Sequence, residues 1–468
     1  MKDAYRFSVA LTLVPLLVPA VPDRALAEKR PNILILMTDQ HFADAMSCRM
    51  GSGLIRTPAM DSLAASGMLF TRAYAANPLC MPSRTAMMTG RYPHETGIQH
   101  NGAAGADRSL PCISFGRLFR NAGYDTGYVG KWHVAGAFAS PKDFEFSTNI
   151  RHKRIDAKNV SLLIEFIRRK RERPFLLVGS FCNPHNICEW ARGQKLPDGD
   201  IGVPPPRDQL PPLVANHRPP LHETDTMRRV RELYARTKKH AALRFDEDGW
   251  RRYRWAYYRM IELVDHRIGR VLQALKDSGQ EENTVVIYLS DHGDCFGAHG
   301  WDHKETFYDE SCRVPLIIRW KGVTKAGVSD RLVNTGIDLY PTLCDYAGIE
   351  PPAGLPGLSL KGTANGHVTE DPRRYIVVQN KFSNKGKPEI AGQPMPAGRM
   401  VRSRRYKYCL YDMGNRRESL VDMERDPGET VNLAGDVRYK EILRQHRRYF
   451  VEWRAKYGDS FPLPPKGD

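Results

Sequence analysis

Three uninterrupted apolar runs lie along the chain, at residues 32–38, 175–181 and 284–290. Runs of this length are typical of parallel strands that are buried on both faces. The first run is followed directly by Asp39 and the third by Asp291. The sequence therefore predicts three central strands, two of which end in a carboxylate.

Apolar residues at helical spacing lie between these runs. Residues 161–171 keep their apolar side chains on one helical face, and a longer amphipathic segment covers residues 257–275 and stops before Gly279. Strands that alternate with helices predict an α/β fold, in which a mostly parallel central sheet is sandwiched by helices. Because ligands bind at the carboxyl ends of such strands, we expect Asp39 and Asp291 to meet there.

The pattern of apolar residues changes beyond about residue 365. Short candidate strands at residues 375–379, 399–411 and 418–423 precede a basic helix at residues 437–456. This pattern predicts a smaller C-terminal α+β subdomain with short antiparallel strands at residues 366–468. The α/β domain that carries the candidate chemistry then covers residues 28–365.

The first 27 residues have the three parts of a secretory signal peptide. Lys2 and Arg6 precede an apolar run at residues 9–21, and Ala25-Leu26-Ala27 supplies a small-residue cleavage site. The alternative for this segment is a disordered apolar tail. A signal peptide at residues 1–27 predicts a periplasmic or secreted protein. We expect no stable membrane insertion, because no run is long and apolar enough to span a bilayer.

Charge and cysteine content narrow the classes of partner. The 468 residues carry a formal net charge of +17. In an exported protein this charge argues against a nucleic acid partner and favours an anionic polymer or surface, with a solvated basic surface as the alternative. The nine cysteines are an odd number, so at least one is unpaired in an oxidising compartment. Cys80 is the candidate for an unpaired thiol.

Cys80 lies in the stretch PLCMPSRTAMMTGRYP, at residues 78–93. Pro82 suits the first turn of a helix and Thr89-Gly90 supplies a stop, so Cys80 is predicted at a helix N-terminus. Free backbone N–H groups and the positive end of the helix dipole make this position a site for an anion. Taken alone, the thiol fits an activated nucleophile, a disulfide partner or an inert core residue.

Five spaced positions around this thiol resemble a known signature. Cys80-Met-Pro-Ser-Arg84, followed by Thr89-Gly90-Arg91, is similar to the signature of the type I, formylglycine-dependent sulfatases of the alkaline phosphatase superfamily. The resemblance covers nearly the whole chain, because five further stretches also match motifs of the family. They are residues 30–40, Gly130-Lys131-Trp132-His133, Asn183-Pro184-His185, residues 290–294 with His299 and Lys304, and residues 426–434. It implies a sulfuric ester hydrolase with an alkaline phosphatase-like fold.

The resemblance implies that four side chains hold a divalent cation, which polarises the sulfate: Asp39, Gln40, Asp291 and His292. Oxygen-rich ligation in a calcium-bearing periplasm favours Ca²⁺, as in the family. Many members have a second aspartate where Gln40 lies and an asparagine where His292 lies. Another divalent metal therefore stays open, since an imidazole is a less natural ligand for a hard cation.

The resemblance also implies how the nucleophile forms and works. A formylglycine-generating or sulfatase-maturing enzyme oxidises Cys80 to formylglycine, and a hydroxyl of its hydrate attacks sulfur. Arg84 and Lys131 stabilise the hydrate by charge-assisted hydrogen bonds. His133 takes the proton from the second hydroxyl.

Three residues are expected on the leaving-group side of the sulfate. His185 and Lys304 contact the bridging side, with His185 as the proton donor to the leaving oxygen. His299 is the alternative donor. Cys182 and Cys188 flank His185, and either a disulfide or two thiols is consistent with the sequence.

These expectations point to hydrolysis of sulfate esters, with a sulfated carbohydrate or glycosaminoglycan fragment as the substrate. A phosphonate monoester or phosphodiester hydrolase of the same superfamily is the alternative, because it uses a similar site. From another class, a non-catalytic protein that binds sulfated glycans is expected to have lost a residue of the chemistry. None of those residues is missing from the chain.

Overall fold

The structure is a computed structural model that describes residues 30–103, 112–149, 156–368, 370–383, 386–387, 389–390 and 392–465. The predicted signal peptide at residues 1–27 lies outside this part of the chain. Residues Pro31–Asp468 form one compact unit. Among the described residues, no helix combines the length and the apolar character needed to cross a bilayer.

An eight-stranded, mostly parallel sheet forms the centre of the molecule. Its strands are β1 (Asn32–Asp39), β2 (Met68–Tyr74), β3 (Asp125–Gly130), β4 (Phe146–Asn149), β5 (Phe175–Pro184), β6 (Thr284–Ser290), β7 (Leu316–Arg319) and β8 (Gly327–Asn334). They lie in the order β4-β3-β5-β1-β6-β7-β2-β8, and only the pairings of β7 with β6 and β2 are antiparallel among these neighbours. The three apolar runs of the sequence are β1, β5 and β6, which confirms the predicted fold class.

Helices pack on both faces of this sheet. They are α1 (Ser47–Met50), α2 (Pro58–Ser66), α3 (Cys80–Thr89), α4 (Pro93–Thr96), α5 (Phe115–Asn121), α6 (Asp156–Arg168), α7 (Ile187–Ala191), α8 (Asp225–Ala235), α9 (Glu247–Asp277), α10 (Asp309–Cys312), α11 (Thr335–Ala347) and α12 (Lys361–Ala364). Alternate residues of β1 point to opposite faces: Leu34 and Leu36 pack with α2, α6 and α9, whereas Ile33 and Ile35 pack with α3, α5 and α11. The uninterrupted apolar character of β1 follows from this burial on both faces.

A four-stranded antiparallel sheet follows in the C-terminal part, in the order β14-β13-β12-β9. The elements are β9 (Tyr375–Lys381), the short pair β10 (Glu389–Ile390) and β11 (Gln393–Pro394), β12 (Ala397–Ser403), β13 (Tyr406–Tyr411), β14 (Glu418–Asp422) and helix α13 (Lys440–Tyr457). The single strand predicted at residues 399–411 is instead a hairpin, because the chain turns at Arg404 and Arg405. The Ser403 hydroxyl closes that turn by accepting the Tyr406 N–H.

The register of β1 and β6 positions the candidate site. Thr38 pairs with Ser290, so the next residue of each strand, Asp39 and Asp291, lies at the same edge of the sheet. The Gln40 N–H donates to Asp291 Oδ1 at 3.1 Å across this edge. Two carboxylates far apart in sequence therefore meet, as the predicted carboxyl-end geometry requires.

Candidate active site

Cys80 is the first residue of α3, and Leu79 before it is extended, with φ −152°. The helix ends before Gly90, which adopts the left-handed conformation with φ 69° that glycine reaches without a Cβ penalty. Both the start and the stop of the helix agree with the sequence prediction. The thiol is 1% exposed. In this first helical turn the Met81 N–H donates to the Asn101 side-chain oxygen and the Ser83 N–H donates to the Leu79 carbonyl, both at 3.0 Å.

Two lysines and one histidine surround the Cys80 sulfur. Lys304 Nζ is 3.2 Å from Sγ, His292 Nε2 is 3.1 Å from it, and Lys131 Nζ is 3.9 Å from it. Burial acts to raise the pKa of Cys80, but Lys131, Lys304 and His292 outweigh it and hold that pKa well below its usual value. The pocket therefore stabilises a negative charge at the position of residue 80.

The two carboxylates beside this pocket are completely buried. Arg84 joins them, with Nε 2.7 Å from Asp291 Oδ2 and an Nη 3.3 Å from Asp39 Oδ2, and Lys131 also donates to Asp39. Burial and Asp291 act to raise the pKa of Asp39, yet Lys131 and His185 hold it below its usual value. Both aspartates are thus available in the charged form that a cation binds.

The donor set fits a divalent cation. Asp39, Cys80, Asp291 and His292 each offer one ligand atom, and these atoms all lie within 4.8 Å of one another. Gln40 Oε1 reaches the same cluster, where it accepts a hydrogen bond from Lys304 Nζ at 2.6 Å. Two carboxylates, an amide oxygen and one imidazole can bind either a hard cation or a borderline one.

Asp294 belongs to this site and is not among the predicted site residues. Its Oδ2 accepts a hydrogen bond from the Gln40 amide at 2.5 Å and another from the Tyr253 hydroxyl at 3.1 Å. Burial raises the pKa of Asp294 to about 6. It orients Gln40 so that the amide oxygen faces the cluster. The signal in the sequence was its position three residues after Asp291.

Lys131 directly follows β3. The glycine before it, Gly130, allows the end of β3 to lie close to β5. A Cβ at Gly130, where φ is 108°, would lie 2.0 Å from the Ser180 carbonyl oxygen. Without that side chain, β3 can turn against β5, and the Lys131 N–H donates to the same carbonyl at 3.0 Å. Close backbone contact between the two strands brings the Lys131 ammonium to the Cys80 sulfur.

The other predicted residues differ in how closely they approach residue 80. His133 has a φ of 46°, is exposed, and its side chain helps to lower the pKa of Cys80. His185 follows β5, is buried, and its charge helps to lower the pKa of Asp39. The structure therefore brings Arg84, Lys131, His133, His185 and Lys304 around Cys80 and the carboxylates.

His299 has different neighbours. Its ring stacks on Tyr308 with the ring centres 3.7 Å apart, and its Nε2 accepts a hydrogen bond from the Asn216 amide at 3.3 Å. Burial lowers the pKa of His299 to about 3, so the imidazole is neutral. Its described contacts do not include Cys80, and its role as the alternative proton donor stays a prediction.

All nine cysteines lie in the described part of the chain, and no disulfide joins any two of them. Cys182 Sγ contacts the Asn186 side-chain oxygen at 3.7 Å. Cys188 Sγ instead lies 3.5 Å from Gln40 Nε2 and 3.4 Å from His303 Nδ1. Of the two alternatives for Cys182 and Cys188, the structure has the two thiols.

The fold and the site define a class of enzyme: an α/β hydrolase of anionic esters, with a cation site next to a reactive position at a helix N-terminus. The chain belongs to the sulfatase family. Residues 31–349 match the family model described as Sulfatase, and residues 297–456 match the model described as N-sulphoglucosamine sulphohydrolase, C-terminal. The protein is a sulfuric ester hydrolase.

Individual relatives agree with this assignment. The chain is 31% identical to a Delta 4,5-hexuronate-2-O-sulfatase of Bacteroides thetaiotaomicron, over 93% of this chain and 91% of that protein. It superposes on the structure of a 2-O GAG sulfatase with a TM-score of 0.78 at 28% identity, over 93% of this chain and 95% of the other. A phosphonate monoester hydrolase of Agrobacterium radiobacter has the same fold, with a TM-score of 0.75 at 23% identity over 92% and 96% of the chains.

Proposed function

We propose that this enzyme removes sulfate from glycosaminoglycan-derived oligosaccharides, and that it reacts through a formylglycine made from Cys80. The convergence of the Lys131 and Lys304 ammonium groups on the Cys80 sulfur carries the proposal. These groups, together with the N-terminus of α3, stabilise an anion where a sulfate monoester would bind. Formylglycine supplies a hydroxyl nucleophile once it is hydrated.

Each side chain of the pocket then has a chemical task. A divalent cation held by Asp39, Gln40, Asp291 and His292 supplies Lewis-acid polarisation when it is bound. Arg84 and Lys131 stabilise the hydrate and its sulfated form by charge-assisted hydrogen bonds, and Lys304 contacts the bridging side of the sulfate. His185 donates a proton to the leaving alcohol oxygen, and His133 accepts a proton from the hydroxyl side of residue 80.

We propose Ca²⁺ as the native cation, because three of the four donor side chains offer oxygen. His292 is the departure from an all-oxygen site, so Mn²⁺ and Zn²⁺ are the competitors. Metal analysis of the purified enzyme tests this choice. Activity that returns with Ca²⁺ after chelation supports it, and activity that returns only with Mn²⁺ or Zn²⁺ contradicts it.

The substrate class follows from the relatives and from the charge. A relative at 31% identity is a Delta 4,5-hexuronate-2-O-sulfatase, so we propose an unsaturated 2-O-sulfated uronide as the first substrate to test. The formal net charge of +17 suits binding of polyanionic fragments. Export through the segment at residues 1–27 would place the enzyme in the periplasm or outside the cell, where such fragments occur.

The test uses natively matured enzyme and a matched substrate panel. Mass spectrometry of the peptide that contains residue 80 is expected to show the aldehyde, and an intact thiol in fully active enzyme contradicts the mechanism. The panel pairs an unsaturated disaccharide sulfated at O2 with the same disaccharide sulfated at O6. We expect O2 desulfation to be faster by about 10²-fold or more.

A phosphate diester and a phosphonate monoester complete the panel, because the neighbour at 23% identity makes that chemistry the alternative for this fold. Faster cleavage of either compound than of any sulfate ester overturns the proposal. Binding of the sulfated disaccharides without any turnover would instead identify the non-catalytic alternative.

A further inference from the structure

A second cluster of titratable side chains lies outside the residues assigned to the reaction: His240, Asp302 and His303. Their side chains are at most 2% exposed. His240 Nδ1 is 2.7 Å from Asp302 Oδ1, and His303 Nε2 is 3.5 Å from Asp302 Oδ2. One ligand atom from each residue can be chosen so that the three lie within 4.8 Å of one another.

Polar atoms of this cluster lack partners. His303 Nε2, Asp302 Oδ2 and His240 Nε2 have no hydrogen-bond partner among the described residues. A buried polar atom without a partner is costly, and buried polar groups in native proteins are nearly always satisfied. An ion in the gap between the Asp302 carboxylate and the two rings would satisfy His303 Nε2 and Asp302 Oδ2. It would not satisfy His240 Nε2, because Nδ1 is the His240 atom that faces Asp302.

A metal ion fits this gap better than an anion. The Asp302 carboxylate at its centre would repel sulfate or phosphate, and complete burial excludes a sugar. A tetrahedral ion with bonds of about 2.0–2.1 Å places its ligand atoms about 3.3 Å apart, which is close to the 3.5 Å between His303 Nε2 and Asp302 Oδ2. The 2.7 Å between His240 Nδ1 and Asp302 Oδ1 is a hydrogen bond, which the ion would replace by moving these two atoms about 0.6 Å apart. Two imidazoles and one carboxylate suit zinc rather than calcium.

We propose that His240, Asp302 and His303 bind a zinc ion, through His240 Nδ1, the Asp302 carboxylate and His303 Nε2, with water in the fourth position. The ring of His240 is held by stacking on Tyr234, with the ring centres 4.0 Å apart. The ring of His303 is oriented by its Nδ1, which lies 3.4 Å from Cys188 Sγ. Contacts of this kind direct the opposite ring nitrogen of a metal-binding histidine toward the ion.

Burial lowers the pKa of His240 well below its usual value and also lowers the pKa of His303, whereas burial raises the pKa of Asp302. Each shift favours the uncharged form of its group when no ion is bound. The neighbouring cation Lys239 pairs with Glu305, so it does not compete for Asp302 through a direct hydrogen bond.

The zinc ion has a position from which it can act on catalysis without touching the substrate. His303 and Glu305, on either side of Lys304, have φ values of 59° and 74°, which are uncommon for these residues. An ion bound to Asp302 and His303 fixes this stretch of backbone. It thereby positions the Lys304 ammonium 3.2 Å from the sulfur of Cys80.

Cobalt is the probe for this site, because Co²⁺ replaces zinc and absorbs visible light strongly in tetrahedral coordination. Matured full-length enzyme is stripped with chelator and titrated with Co²⁺, next to the variants Asp291→Asn and His303→Ala. Asp291→Asn weakens the cation site beside residue 80, whereas His303→Ala removes a proposed zinc ligand. We expect the visible band in wild type and in Asp291→Asn, and its loss in His303→Ala.

Absence of the band in wild type, or its loss in Asp291→Asn with retention in His303→Ala, overturns the proposal. If His303→Ala does not fold by circular dichroism, the nearly isosteric Asp302→Asn takes its place. Enzyme produced with added zinc provides a second readout. It is expected to contain about one equivalent of zinc that Asp302→Asn lacks, and an equal zinc content in the two proteins also overturns the proposal.

Discussion

Two buried lysines, Lys304 and Lys407, differ in the groups that surround their ammonium ions. Lys407 Nζ donates to Glu429 Oε1 at 2.7 Å, to the Phe307 carbonyl at 2.9 Å, and also to Asp309. Burial acts to lower the pKa of Lys407, but Asp309 and Glu429 raise it well above its usual value. This lysine is charged, and carboxylates neutralise it directly.

Lys304 has no carboxylate among the partners of its ammonium in the described structure. Its Nζ donates to the Gln40 amide oxygen at 2.6 Å and lies 3.2 Å from the Cys80 sulfur. The positive charge of Lys304 is therefore directed at residue 80, where a reacting group would use it. The same residue type at similar burial thus supports the fold in one region and the chemistry in the other.

The pairing of Lys407 with Glu429 indicates a role for the segment at residues 426–434, which resembles the C-terminal signature of the family. Glu429 accepts the Asp309 N–H at 2.7 Å as well as the Lys407 ammonium. Glu429 therefore links Asp309, at the start of α10, to Lys407, which lies in β13 of the antiparallel sheet. We infer a structural role for this part of the signature, at a distance from the reacting position.

The largest expected effect distinguishes Cys80, the proposed source of formylglycine, from an ordinary buried cysteine. Cys80→Ala removes the proposed precursor of the nucleophile, so we expect kcat/KM to fall by about 10³-fold or more. The matched control is Cys409→Ala, since Cys409 is also buried but lies in β13. The control is expected to keep its kcat/KM per folded molecule. Activity in Cys80→Ala within tenfold of wild type, about 1.4 kcal/mol, would contradict the assignment.

The second prediction contrasts the two lysines themselves. Lys407→Met leaves Glu429 as a buried carboxylate without a cation, whereas Asp309 keeps its ion pair with Arg313. We expect the variant to lower the free energy of unfolding by about 3–5 kcal/mol. Lys304→Met is expected to lower kcat by about 10²–10³-fold, because it removes a charge aimed at the reacting group.

Denaturant unfolding and steady-state kinetics on both variants measure these effects. The double variant Lys407→Met with Glu429→Gln removes the uncompensated carboxylate and should recover part of the lost stability. If Lys407→Met reduces kcat per folded molecule as strongly as Lys304→Met does, the distinction between the two regions is wrong.

The smallest expected effect concerns His299, which lies near Lys407. Burial, followed by the charge of Lys407, lowers the pKa of His299 to about 3, below the value of 6.5 in an unfolded chain. The unfolded state therefore binds more protons as the pH falls below 6.5, and stability is lost in that direction. Between pH 7 and pH 5 this histidine should cost wild type about 2 kcal/mol.

His299→Gln removes this titration, so the difference in unfolding midpoint between wild type and variant should change with pH. Denaturant unfolding at pH 7 and pH 5 measures the effect. A difference that stays the same at both values would mean that His299 is not held in its neutral form.

The central strands were predictable because their residues face apolar helices on both sides. Residues 284–290 coincide with β6, and residues 32–38 match β1 to within one residue. Strand β2 was not predicted, because it includes Thr71 and Arg72 within its seven residues. Periodicity alone does not distinguish such a strand from a loop, and its pairing with β7 and β8 decides the structure.

The site was predictable where functional residues directly follow strands or begin a helix. Asp39, Asp291 and Cys80 have such positions, and the structure brings them together. The cluster around Asp302 was not predicted, because His240 lies 62 residues before it and no periodic pattern relates the two. Their proximity depends on packing between loops, which sequence patterns do not encode.

The depth of Cys80 has a consequence for the order of events during biosynthesis. At 1% exposure, the folded enzyme gives a second protein no access to this sulfur. His292, which covers it, is synthesised 212 residues later in the chain. A maturing enzyme would therefore have to act on the nascent or still unfolded polypeptide. Once the sheet is complete, the Cys80 sulfur is buried and that enzyme can no longer reach it.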